Sequence, residues 1–190
     1  MALAKENRKY TFQDYLSWDE SQRVEIFSGR AVVMQAAPST EHQRILGKIF
    51  RQISNFLDGR TCEAFVAPFA VRLFDQKNTP DDQSMTVVEP DISVVCDPQK
   101  IDEHGCKGAP DFIIEILSPS TMKNDLFEKM DLYRRAQTQE YWIVSPTDQF
   151  VQVYVLENGK YTVSGLYGAN DTISATVLKG CAVDLSSVFH

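Results

Sequence analysis

The segment Asp111-Phe112-Ile113-Ile114-Glu115-Ile116-Leu117 constrains this chain more than any other. Its apolar residues run almost without a break. That is the pattern of a strand covered on both faces. Side chains alternate across a strand, so Asp111, Ile113, Glu115 and Leu117 share one face. A glutamate in the middle of such a run sits where a bare charge is costly. Glu115 is therefore expected to be paired, metal-bound or neutral. The choice lies between a functional carboxylate and a structural salt bridge.

A second strand with an acid precedes it. Residues 87–95 read as a central strand and include Glu89-Pro90-Asp91-Ile92-Ser93-Val94-Val95. Pro90 has no N–H for a sheet ladder, so it predicts an edge, a bulge or a late strand start. After Leu117, Ser118-Pro119-Ser120-Thr121 stops the strand and can cap a helix. Met122, Leu126, Met130, Tyr133 and Ala136 then mark an apolar stripe. At ~100° per residue, Lys129 lies ~60° from Leu126 and falls within that stripe. Glu128 and Asp131 point elsewhere. An inward lysine either snorkels its head to water or aims it at a carboxylate on the neighbouring strand. Because that strand carries Glu115, the second arrangement is expected. Asp91, Glu115 and Lys129 form the candidate cluster.

The flanking segments supply layers and further candidates. Thr11-Phe12-Gln13-Asp14 resembles a capping box ahead of a short helix. Arg23-Val24-Glu25-Ile26-Phe27 alternates as a half-buried strand does, and Ala31-Val32-Val33-Met34 returns as the second arm of a hairpin. Glu25 falls on the more polar face, as a solvated carboxylate or as a third acid reaching the site. Pro38-Ser39-Thr40 caps a helix whose Ile45, Leu46, Ile49, Phe50, Ile53, Phe56 and Leu57 recur at helical spacing. His42 sits in its first turn. There it is a local hydrogen-bonding residue, or it helps the helix N-terminus to place a phosphate or a water.

Residues 62–67 and 69–74 read as strands broken at Pro68, and 75–85 and 97–108 as loops. Buried and hairpin strands follow at 140–144, 150–156 and 161–166, with short strands at 175–178 and 181–185. The expected architecture is α+β: one domain over residues 1–190, with a curved mixed β-sheet flanked by helices.

Bulk properties narrow the function. A 190-residue chain with 43% apolar residues suits one domain with a real core. Its net charge of −7 argues against a large nonspecific nucleic-acid footprint. It leaves room for a local, metal-bridged site, because a bound cation carries its own positive charge. Cys62, Cys96, Cys106 and Cys181 lack the C-x-x-C spacing of a zinc site. Lone cysteines fit a reducing cytosol. No signal peptide is evident, and no apolar run approaches the ~18 residues needed to span a bilayer. A cytoplasmic protein without a membrane partner is expected. No Walker loop, dinucleotide glycine pattern or Ser-His-Asp order is present.

Taken together, the motifs resemble the Uma2 family of restriction-endonuclease-like proteins. The resemblance rests on Arg23-Val24-Glu25-Ile26 with Gly29, Ala37-Pro38-Ser39 with His42-Gln43, and Ala67-Pro68-Phe69. It continues through Glu89-Pro90-Asp91-Ile92-Ser93-Val94-Val95 and Gly108-Ala109-Pro110-Asp111. It closes on Ile114-Glu115-Ile116-Leu117-Ser118-Pro119-Ser120-Thr121, Lys129, Tyr133 and Glu140-Tyr141-Trp142-Ile143-Val144.

The resemblance implies a restriction-endonuclease-like core and the site of a PD-(D/E)xK nuclease. Pro90-Asp91 and Glu115 match that pattern. Leu117 stands where the superfamily has its lysine, and Lys129 on the next helix is implied to replace it. On this footing Asp91, Glu115 and the Ile116 carbonyl hold Mg²⁺ or Mn²⁺ for hydrolysis of DNA. Lys129 orients the attacking water or offsets charge, and Glu25 holds a second metal or orients Lys129. A homodimer is a further expectation of this fold that the residues leave open. The competing reading is a nuclease-fold protein that binds a protein or nucleic-acid partner without cutting. The acidic charge and the missing lysine at Leu117 support it.

Overall fold

The computed structural model describes residues 8–19, 23–34, 37–119 and 121–190. Residues 1–7, on which the expectation of no signal peptide rests, and Ser120 of the predicted cap lie outside them. The chain runs through α1 (Phe12–Leu16), β1 (Val24–Phe27), β2 (Arg30–Val33), α2 (Thr40–Leu57), β3 (Glu63–Val66) and β4 (Val71–Arg72). It continues with β5 (Val87–Val88), β6 (Ile92–Val95), β7 (Ile101–Asp102), β8 (Gly105–Lys107) and β9 (Phe112–Ile116). A π-helical stretch (Asn124–Lys129) leads into α3 (Met130–Arg135). Then come β10 (Glu140–Ser145), β11 (Phe150–Glu157), β12 (Lys160–Gly168), β13 (Thr172–Ser174), β14 (Ala182–Asp184) and α4 (Ser186–Phe189).

The α+β class is as expected, but the sheet is divided. Among the described residues the strands form two six-stranded sheets, β2-β1-β5-β4-β8-β7 and β12-β11-β10-β9-β6-β3, and a β13-β14 ribbon. Both large sheets are mixed, because β4–β8 and β9–β10 pair in parallel. The division comes from Pro90. The segment predicted as one strand pairs with β1 and β4 before Pro90, and with β3 and β9 after it. A proline cannot donate to a ladder, so the chain changes sheets there. Glu89 and Asp91 consequently sit at the seam between the sheets.

The predicted central strand, β9, is buried along its whole length. Phe112, Ile114 and Ile116 face α2 and pack with its Ile45, Ile49 and Ile53. Ile113 and Leu117 face the other way, into a cluster with Val71 and Val88 of the first sheet and Tyr133 of α3. Glu115 shares that second face. It is therefore enclosed by a sheet, a helix and its own strand.

Other departures have local causes. The predicted loop at 97–108 contains the β7–β8 hairpin, whose Gly105 has φ +129. A Cβ there would stand 2.1 Å from the Ala70 carbonyl oxygen, so only glycine fits. The loop at 75–85 packs against α1, with Ser84 buried and its carbonyl accepting from the Phe12 amide at 2.8 Å. Met122, placed by spacing in the inward stripe, is exposed. The expectation of four lone cysteines is corrected: Cys62 and Cys96 form a disulfide, while Cys106 and Cys181 are free and buried. The antiparallel pairing of Glu63 with Val95 sets Cys62 and Cys96 opposite one another. Their separation of 34 residues hides this in the sequence.

This packing separates core from surface. Phe112→Ala removes a fully buried ring and should lower the unfolding free energy by about 3–5 kcal/mol in urea denaturation. Phe127→Ala, at a residue 68% exposed, should change it by no more than about 0.5 kcal/mol. Equal effects would contradict the core assignment.

Candidate active site

The β6–β9 register builds the site. Ile92 pairs with Ile114, so Asp91, one residue before β6, lies across from Glu115. The Asp91 amide contacts Glu115 Oε2 at 3.4 Å. Asp91 Oδ2 accepts from the Ile116 amide at 2.8 Å and lies 3.1 Å from His42 Nε2. The α2 N-cap explains the histidine's place. Ser39 accepts from the His42 amide at 3.1 Å, which starts the helix there and turns His42 inward. His42 is therefore buried beside Asp91 and not at the surface.

Lys129 lies on the inward helix face, as its phase predicts, and is 2% exposed. Its Nζ is 2.9 Å from Glu115 Oε1, 3.0 Å from Glu25 Oε1 and 3.5 Å from Asp125 Oδ1. Glu25 was ambiguous on alternation alone. It is buried, because β1 is covered on both faces, and its Oε1 also accepts from the Glu89 amide at 2.8 Å. Asp91, Glu115, Lys129, Glu25 and His42 thus converge, with the Ile116 backbone beside them.

Three groups escaped the sequence reading. Asp125 and Tyr133 lie four residues before and after Lys129, so helical spacing could have found them. Asp125 is buried, with its carboxylate against Lys129 and Thr121. The Tyr133 hydroxyl donates to Glu115 Oε1 at 2.6 Å. Glu89 also borders the cluster, held by the Tyr15 hydroxyl at 2.6 Å and near Arg23 Nε at 3.6 Å. It stands beside the Pro-Asp motif, but nothing local signals its partners.

Burial governs the electrostatics. It pushes Glu115 well above the ordinary glutamate range; Lys129 pulls back, and Asp125, Asp91 and Glu25 add to the rise. Burial likewise raises Glu25 and Asp125. For Lys129 burial alone favours loss of the proton. Attraction to Glu115, Glu25 and Asp125 outweighs it, so the ammonium is held well above the ordinary lysine range. One ammonium therefore faces several buried acids. The site opens on a cleft of about 370 Å³ bordered by His42, Asp91, Glu115, Asp125 and Lys129. A larger groove of about 530 Å³, beside Asp111 and Arg135 at the other end of β9, contains none of these residues.

Removing the lysine tests this balance. Lys129→Met leaves Glu25, Glu115 and Asp125 without their cation and should cost about 3–5 kcal/mol at neutral pH. Carboxylates with raised folded-state pKa values favour the folded state below their ordinary values, 4.5 for Glu and 3.8 for Asp. That contribution is lost as pH rises through the raised values. The gap between wild type and K129M in urea denaturation should therefore narrow on acidification. A gap independent of pH would contradict this charge balance.

Comparison with known proteins agrees with this architecture. Residues 12–186 match the Uma2 family, described as "Putative restriction endonuclease". The chain is 30% identical over 149 residues to "Uncharacterized protein slr1290" of Synechocystis sp. (strain ATCC 27184 / PCC 6803 / Kazusa), covering 77% of this chain and 74% of the other. A crystal structure at 1.96 Å resolution of a "putative nuclease belonging to DUF820" from Anabaena variabilis ATCC 29413 superposes with a TM-score of 0.71 at 20% identity. That match covers 95% of this chain and 97% of the other, and it is a likeness of fold. The chain belongs to the Uma2 family.

Proposed function

We propose that this chain is a divalent-metal-dependent endonuclease that hydrolyses phosphodiester bonds of DNA. The observation that carries this reading is the apposition of Asp91 and Glu115 from paired strands at the edge of a cleft. The family description supports the same chemistry.

The residues fit a hard divalent cation. Glu25, Glu115 and Asp125 crowd around a single ammonium, with Asp91 across from Glu115, and such a cluster offers hard oxygen ligands to a cation. Among the described residues no three His, Cys, Asp or Glu side chains form a ready ligand set. Mg²⁺ does not require one: it commonly takes one or two carboxylates and keeps several waters. Asp91 and Glu115, with the Ile116 carbonyl, would hold Mg²⁺ or Mn²⁺. When bound, the ion supplies Lewis acidity and lowers the pKa of a coordinated water.

The chain's own side chains set the geometry. The Ile116 amide and His42 fix Asp91 Oδ2, while Oδ1 takes no hydrogen bond among the described residues. Lys129 takes over the role of the lysine that Leu117 lacks, offsetting negative charge that builds up on the scissile phosphate. Glu25 holds Lys129 in place. His42, in the first turn of α2, adds the helix N-terminus to the phosphate side of the cleft. A non-cutting nuclease-fold binder is the second reading, favoured by the net charge of −7 and by the full ion pairing of Lys129.

Nicking of supercoiled plasmid with Mg²⁺ or Mn²⁺ separates the two. Asp91→Ala and Glu115→Ala should each slow nicking by more than about a hundredfold. If wild type and both variants leave the same trace of nicked plasmid, the enzyme reading is wrong and the binding reading stands.

A further inference from the structure

The two oxygens of Glu115 have unlike surroundings. Oε1 accepts from the Tyr133 hydroxyl at 2.6 Å and from Lys129 Nζ at 2.9 Å. Among the described residues, Oε2 accepts from the Asp91 amide alone, at 3.4 Å. The terminal torsion of a glutamate is broad and two-fold, so a carboxylate without discriminating donors exchanges its oxygens freely. Two donors on one oxygen remove that freedom.

Both donors are themselves fixed. Tyr133 is fully buried, with its ring edge-on to Tyr141 at a centroid distance of 5.1 Å. Lys129 is tied to Glu25 and Asp125 as well as to Glu115. It approaches Glu115 from the interior, on the oxygen away from the Asp91 amide.

We propose that Tyr133 is a positioning residue, whose hydroxyl anchors Glu115 Oε1 so that Oε2 stays turned toward Asp91 to receive a divalent cation. Lys129 shares this anchoring duty from the inner side. The inference rests on the cation site proposed above. Outer hydrogen-bond partners of this kind orient metal ligands and tune their strength, and losing one commonly weakens metal binding by about ten- to a hundredfold.

Calorimetric titration of the purified chain with Mn²⁺ tests this without reference to cleavage. Tyr133→Phe deletes the hydroxyl and keeps the ring. Tyr141→Phe is the matched control, since its buried hydroxyl donates to the Asp125 backbone carbonyl and not to Glu115. Wild type and Y141F should bind Mn²⁺ alike, E115Q should lose binding, and Y133F should weaken it by about ten- to a hundredfold. Wild-type affinity in Y133F overturns the inference and leaves the cation site intact. Equal weakening in Y133F and Y141F also overturns it, as a general effect of losing a buried hydroxyl. Absence of Mn²⁺ binding in wild type removes the site and the inference together. A Y133F chain unfolded by circular dichroism assigns the hydroxyl to folding, which again overturns the proposal.

Discussion

A carboxylate inside an apolar strand is the constraint on which this structure turns. Glu115 lies on β9, which is buried throughout, so it has no route to bulk water along its own strand. A bare charge in such a place is untenable. Its neighbours answer that demand: Lys129 and Tyr133 donate to one oxygen, and the Asp91 amide approaches the other. Lys129 is in turn surrounded by Glu25 and Asp125. The first sheet, the second sheet and the helical segment after β9 are thereby tied together through one ammonium.

The resulting cluster stores an imbalance. Buried ion pairs contribute little net stability when their desolvation is counted, and removing one partner is costly. Here the acids outnumber the cation, which is a poor solution for stability alone. The proposed cation would offset that excess, and Asp91, Glu115 and Asp125 border the cleft. The same logic reconciles the acidic chain with the proposed nucleic-acid substrate. On the proposed reading, attraction to phosphate would come locally from a bound cation and not from a basic surface.

Much of this was legible in the residues, and the limits were physical. Strand periodicity placed Glu115 correctly, and helical phase placed Lys129 on the inward side. Both are local properties. Pro90 marked an irregularity, but whether it meant an edge, a bulge or a change of sheet depended on partners far away in the chain. Glu25 looked polar-faced because alternation does not reveal that β1 is covered on both sides. The i,i+4 spacing of Asp125 and Lys129 was legible, but the π-helical form of the Asn124–Lys129 stretch that carries them was not. The Cys62–Cys96 bond likewise depends on the β3–β6 register, which only the assembled sheet provides.

Asp91 and Glu115 are proposed to form a cation site at the seam between the two sheets. Anomalous diffraction from crystals soaked in Mn²⁺ tests it most directly. A single strong peak is expected between the Asp91 and Glu115 carboxylates, beside the Ile116 carbonyl, with Lys129 still bound to Glu115 Oε1. A peak elsewhere, or no peak at saturating Mn²⁺, would contradict it.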